Sequence, residues 1–242
     1  MRRIARISGT LLAVGGIAVL VWVVVVWRWQ DPFTALYTTW KQHQLSSSYD
    51  RRATAYHRRP VEPGASLAAT TAQIRAEAQR YRLESERGQA IGRIDVPRLG
   101  LNMVVVDGTD HDTLRKGPGL DRRTYMPGEG QLVYIAGHRT TYLAPFAHIE
   151  RLRPGDPVTL EVPYGTFTYR VFEHRIVGAN DVAVLRSHGR DVVVLQACHP
   201  RFFASHRYLA YARLVRIEPR GAAAFRPPPS AQAAAPLASA QG

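Results

Sequence analysis

Residues 88–218 read as an all-β domain, and three observations carry that reading. Apolar runs of about 4–8 residues, rich in Val, Ile, Tyr and Phe, recur along the segment. Gly and Pro punctuate them. Pro163-Tyr164-Gly165 separates two such runs in the manner of a hairpin turn. Many short strands divided by turns of this kind predict a closed barrel or a sandwich.

The strands are expected in order. Ile91 to Val96 is stopped by Pro97, and Met103 to Val106 follows. Asp112 to Lys116 reads as a short helical turn ended by Gly117-Pro118. Leu132 to Ala136 is apolar throughout, as a strand buried on both faces would be. Val158 to Val162 and Thr166 to Phe172 flank the hairpin turn, and Val192 to Ala197 and Tyr208 to Ile217 complete the set. There are no internal repeats.

The flanks have other characters. Between Arg6 and Arg28 about 21 uncharged residues run on, enough to cross a hydrocarbon core as a helix. Trp22, Trp27 and Trp29 suit the water–lipid boundary, and Arg2, Arg3 and Arg6 favour a cytoplasmic N-terminus. The Trp27-Arg28-Trp29 sequence is a poor signal-peptidase site, which favours an uncleaved anchor. The expected organisation is a cytoplasmic segment at 1–6, a transmembrane helix at 7–29 and a juxtamembrane stalk and helix at 30–87. The β-domain at 88–218 and a disordered Ala/Pro-rich tail at 219–242 complete it. Residues 30–65 show no sustained period, whereas 66–87 are helical in pattern, with Ile74, Ala78, Tyr81 and Leu83. That helix either packs on the domain or spaces it from the bilayer.

The formal charge is +13, nearly all of it arginine, with Lys41 and Lys116 the only lysines. The arginines are scattered, without a basic helix face or an aromatic stacking motif, so no nucleic-acid partner is expected. An envelope of anionic lipid and polymer fits better. The chain has one cysteine, Cys198. Exported cysteines normally pair, so an unpaired one implies an intermolecular bond, a reactive thiol, or a small buried hydrophobe.

Three polar residues fall at strand ends. His138 follows the 132–136 run, Cys198 follows 192–197, and Arg207 precedes the last strand. In a barrel where these strands are neighbours, thiol, imidazole and guanidinium converge at one rim. A nearby cation favours the nucleophilic thiolate. An imidazole serves as general base and then as acid to a leaving amine. A guanidinium is a poor base but a good donor to an oxyanion. Each also has a plainer reading as a loop or surface residue. There is no calcium-type carboxylate cluster, and His138, Cys198 and His199 lack zinc spacing, so neither metal nor cofactor is expected.

Ala136-Gly137-His138-Arg139-Thr140-Thr141-Tyr142 with Ala144-Pro145-Phe146, and Leu195-Gln196-Ala197-Cys198-His199-Pro200 through Arg207, resemble the sortases, most closely class E. Ile94-Asp95-Val96-Pro97-Arg98-Leu99-Gly100, Lys116-Gly117-Pro118-Gly119 and Leu152-Arg153-Pro154-Gly155-Asp156 are similar in order and spacing. The resemblance covers roughly 88–218 and implies a closed eight-stranded β-barrel with short helices. It implies Cys198 as nucleophile, His138 as general acid/base and Arg207 as oxyanion or substrate-positioning group. The implied reaction is transpeptidation: cleavage of a C-terminal sorting signal (LPxTG, or LAxTG-like in class E) between Thr and Gly through a thioacyl-enzyme. The implied partners are secreted proteins bearing that signal and a peptidoglycan precursor or other amine acceptor, met at the outer face of a membrane crossed once. A hydrolase using water and a catalytically degenerate binding protein on the same barrel are the alternatives. Ala197 stands where the family usually has Thr, which touches substrate preference. Tyr142 is a substrate-pocket candidate or an ordinary strand-end tyrosine.

Overall fold

The computed structural model describes residues 2–29, 32–56, 66–221 and 223–227. Eight strands close a barrel: β1 (Ala90–Val96), β2 (Leu101–Asp107), β3 (Gly119–Leu120), β4 (Leu132–Ala136), β5 (Pro157–Val162), β6 (Gly165–Gly178), β7 (Val192–His199) and β8 (His206–Pro219). The order is β1-β2-β3-β4-β7-β8-β6-β5, with β5 returning to β1. The β2–β3 and β4–β7 pairs are parallel and the others antiparallel. The expected strands are all present, and β3 is an addition. Its two residues carry no readable apolar period, and close approach makes it possible, because a Cβ on Gly119 would sit 2.1 Å from the Gly108 carbonyl oxygen.

β4 is buried on both faces, as its apolar run requires. Val133 and Ile135 join the barrel interior with Val193, Leu195 and Ala197 of β7. Leu132 and Tyr134 face outward against Val194, Leu209 and Tyr211, under Val184 and Leu185 from the β6–β7 connection. Successive strand residues point to opposite faces, so this alternation runs on to the end of β7. β6 extends past Phe172 to Gly178, where a register shift lets Glu173 to Gly178 pair with β8.

The helices differ more from expectation. α1 (Arg2–Trp29) contains a 20-residue stretch, Arg6–Val25, apolar and long enough to cross a membrane, with none of it buried against the protein. The side chains of Trp27 and Trp29 lie outside the described residues. Pro32–Ala55, expected as part of an irregular stalk, is a 24-residue helix, α2, docked along the barrel. It lacked a visible period because few large apolar side chains hold it; polar groups bonded to barrel backbone do. Thr38 donates to Arg115 O (3.0 Å), Gln42 to Val104 O (3.1 Å) and Lys116 O (2.8 Å), and Tyr49 to Glu161 O (3.3 Å). Residues 57–65 of the expected stalk lie outside the described residues.

α3 (Leu67–Glu84), capped by Ser66, packs on the barrel rather than spacing it. Ile74, Ala78 and Tyr81 are buried as expected, but Leu83 is 71% exposed. Tyr81 donates to Ile91 O and stacks edge-on with Tyr164. The start of the expected tail is also ordered: Phe225 exchanges two backbone bonds with Ile217 and packs on the core. Residues 228–242 lie outside the described residues.

Asp191, just before β7, is buried and accepts from Tyr169 Oη (2.7 Å) and the Gly128 amide (2.8 Å). Burial, only partly offset by these donors, pushes its carboxyl from 3.8 up to about 6. Lowering the pH from 7 to 5 therefore protonates Asp191 in the native chain but not in the unfolded one, which stabilises the fold. Asp191→Asn abolishes this titration. The melting temperature of the variant minus that of the wild type is expected to be more positive at pH 7 than at pH 5; a difference constant across that range would contradict the raised value.

Candidate active site

The site is built by strand register. β7 and β8 are antiparallel with Cys198 directly opposite Arg207. Opposed residues share a face, with Cβ atoms about 4.5–5.5 Å apart. β4 runs parallel to β7 with Ala136 paired to Gln196, and the Gly137 amide continues the ladder by donating to Gln196 O (3.0 Å). Two residues beyond Ala136, His138 is level with Cys198 on the neighbouring strand. All three side chains line one cleft of about 270 Å³ on the outer face of β4, β7 and β8. Val182, Val184 and Leu185 form its opposing wall. Thr109, Asp121 and Arg123 line its far end.

His138 is held through its backbone. Phe146 N donates to His138 O (3.1 Å), and the buried Phe146 ring lies against Gly137, where a Cβ would come within 2.6 Å of it. Only glycine admits that approach. The His138 and Phe146 parts of one sequence motif are therefore a single packing unit. The His138 Nε2 is buried and has no hydrogen-bond partner among the described residues. Burial, and to a lesser degree the His111 charge, lowers its pKa, which favours the neutral, proton-accepting imidazole. Arg207 is steadied by donating to Ala204 O (2.7 Å) and His206 O (3.0 Å). Cys198 is a free, partly exposed thiol.

Tyr142 does not line the cleft. Its ring lies 5.0 Å from that of His138, with the Arg115 guanidinium 5.5 Å from its centre. Ala197 is not at the cleft either: it is fully buried in the barrel interior, because strand alternation turns it away from Cys198. The motifs around Arg98 and Asp156 meet in a bidentate ion pair at 2.9 and 3.0 Å. That pair, first among several donors, holds Asp156 below the usual carboxylate range. No group of three or more His, Cys, Asp or Glu side chains able to hold a metal occurs among the described residues.

Sequence reasoning missed Arg139. It is buried, donates to Cys198 O (3.1 Å) and bonds His199 Nδ1 (2.9 Å), and its other terminal nitrogen pairs with Glu150 (2.8 Å). The residue after the histidine thus fastens the peptide of the thiol. Spacing offered no signal for this, since Glu150 and Cys198 are remote in sequence and an arginine among so many looks like surface. Arg139→Ala leaves the Cys198 carbonyl without this donor, at a cost of about 1–3 kcal/mol, and the solvent-exposed Glu150 carboxylate without its ion-pair partner, at little further cost. Lower thermal stability and slower alkylation of the Cys198 thiol are the expected outcome, read by melting and by iodoacetamide labelling; alkylation at the wild-type rate would show that the nucleophile does not depend on this clamp.

Comparison with known proteins follows the same lines. The sortase-domain family model matches residues 94–215, just over half of the chain. Sortase D of Bacillus subtilis is 33% identical over 134 residues, covering 54% of this chain and 66% of that protein. Sortase SrtE1 of Streptomyces coelicolor is 27% identical over 154 residues, covering 56% of this chain and 43% of that protein. The chain thus spans less than two thirds of the length of either. A solved Clostridium perfringens sortase D5 transpeptidase has the same fold, with a TM-score of 0.57 at 22% identity, covering 72% of this chain and 98% of that one. Relatives of both D and E types are present, so the similarity fixes the family and leaves the class open. On the family match and the barrel it covers, the chain belongs to the sortases, a family of cysteine transpeptidases.

Proposed function

We propose that the chain is a membrane-anchored transpeptidase in which Cys198 is the nucleophile, His138 the general acid/base and Arg207 the oxyanion donor. The observation that carries this assignment is the register that sets Cys198 opposite Arg207, with His138 level on the next strand. The substrate is a C-terminal sorting signal of the LPxTG or class E LAxTG-like kind on a secreted protein. The acceptor is an amine of the cell wall. α1 anchors the enzyme with its N-terminus in the cytoplasm and the barrel outside, where both meet it.

In the acylation half, His138 takes the thiol proton as Cys198 Sγ attacks the Thr carbonyl carbon. The developing oxyanion is held by the guanidinium of Arg207, a charge-assisted donor that cannot lose its proton. The C–N bond to Gly breaks, and the imidazolium returns its proton to the leaving amine, giving a thioester. In the second half an acceptor amine attacks the thioester and gives its extra proton to His138, the C–S bond breaks to release the amide, and the imidazolium passes that proton to the departing sulfur to restore the thiol. Arg123, bonded to Asp121 at the far end of the cleft, supplies a second polar contact for the peptide.

Mass spectrometry of the protein with LPxTG and LAxTG peptides tests the assignment. A thioester adduct on Cys198 that an added amine converts to an amide product supports it, and cleavage without any adduct overturns it. Cys198→Ala and His138→Ala are each expected to abolish turnover with nearly unchanged melting temperature. Arg207→Ala is expected to lose about 10²–10³-fold in kcat, the usual magnitude for one oxyanion donor.

The lowered pKa of His138 makes the base form available at lower pH than in an ordinary histidine. The acidic limb of kcat/KM is therefore expected below pH ~6.5, the unperturbed histidine value. A limb at or above that value would exclude His138 as the titrating base.

A further inference from the structure

We infer that the catalytic rim of the barrel faces and dips into the outer leaflet of the bilayer that α1 crosses. The inference rests on the membrane-spanning reading of α1 and not on the chemistry of the cleft. Two residues separate Trp29, the end of α1, from Pro32, the start of α2. At about 3.3–3.6 Å per extended residue, the start of α2 stays within roughly 10 Å of the end of the membrane helix. Where α2 begins on the barrel therefore decides which end of the barrel meets lipid.

α2 begins at the catalytic rim. Thr34 accepts from the amide of Tyr142, in the loop that carries His138, at 3.2 Å. Its far end bonds the opposite end of the barrel: Tyr49 to Glu161 O, beside the β5–β6 turn, and Arg52 to Ala90 O at the start of β1 (3.2 Å). Twenty-four helical residues span about 36 Å at 1.5 Å each, which carries α2 from one end of the barrel to the other. The helix acts as a strut that holds the Cys198 end near the membrane and the α3 end away from it.

The distribution of exposed apolar side chains is independent of that geometry and agrees with it. Outside α1, eight large apolar side chains are exposed among the described residues. Six belong to the rim or to the first turns of α2: Leu36, Trp40, Ile176, Val182, Phe202 and Phe203. Phe202 and Phe203, 69% and 82% exposed, stand in the β7–β8 loop between Cys198 and Arg207. A water-facing loop gains nothing from two exposed phenylalanines, whereas an interfacial one buries them in the leaflet. Trp40 has the amphipathic ring favoured at that boundary, and the +13 chain is drawn to anionic lipid. An acceptor amine carried on a lipid would then arrive at the thiol without leaving the surface.

The test uses the full chain in nanodiscs of phosphatidylglycerol and phosphatidylcholine. In a Cys198→Ala background, a single cysteine is introduced by Phe203→Cys, Val182→Cys or Glu161→Cys and labelled with bimane, and spin-labelled lipid is the quencher. Several-fold stronger quenching at 203 and 182 than at 161 is expected. Equal quenching at all three positions, or stronger quenching at 161, overturns the inference while leaving the anchor and the chemistry intact. If the chain fails to enter the nanodisc, the membrane-spanning reading of α1 falls, and this inference falls with it.

Discussion

The parallel pairing of β4 with β7 is the constraint on which the site depends. Antiparallel hairpins can be closed by a local turn, but a parallel pair requires its connection to travel over the barrel. In this chain that connection runs through β5, β6 and the 179–191 segment. It returns with Val184 and Leu185 laid across the outer face of the pair. The same detour therefore sets the register of thiol and imidazole and builds the opposing wall of their cleft. A slip of one residue in this pair would turn Cys198 into the core and bring Ala197 out.

Around that pairing the polar groups are arranged by how much water each can keep. His138 is partly buried with an unpartnered ring nitrogen, which keeps it neutral and ready to accept a proton. Glu150 feels an opposing balance: burial raises its pKa, but its own amide and Arg139 outweigh that and leave it ionised. The charged pair thus holds the backbone of Cys198, and the neutral imidazole stands level with the thiol on the neighbouring strand.

Much of this was legible in the sequence. The continuous apolar run at 132–136 announced a strand covered on both faces, the Val192 to Ala197 run announced another strand, and His138 and Cys198 at their ends marked the rim. The unread parts have physical causes. α2 escaped notice because helices are recognised by apolar stripes, and this one is attached through Thr38, Gln42 and Tyr49. β3 is too short to show alternation. Ala197 was singled out because the family usually has Thr there, but strand alternation sends it inward, and Tyr142 stacks beside the His138 ring without lining the cleft. Arg139 could not be found from spacing, since its partners come together only when the barrel closes.

Gln42 carries one more implication. Its carboxamide accepts from the Val104 amide at 2.7 Å and donates to the Val104 carbonyl, replacing the backbone of an adjacent strand at a point where two-residue β3 cannot reach. A helix side chain completes the hydrogen bonding of the sheet. Trimming the chain to its strands would uncover a raw edge on β2, open to pairing with another molecule. For this protein the folding unit of the barrel begins at α2, not at the first strand.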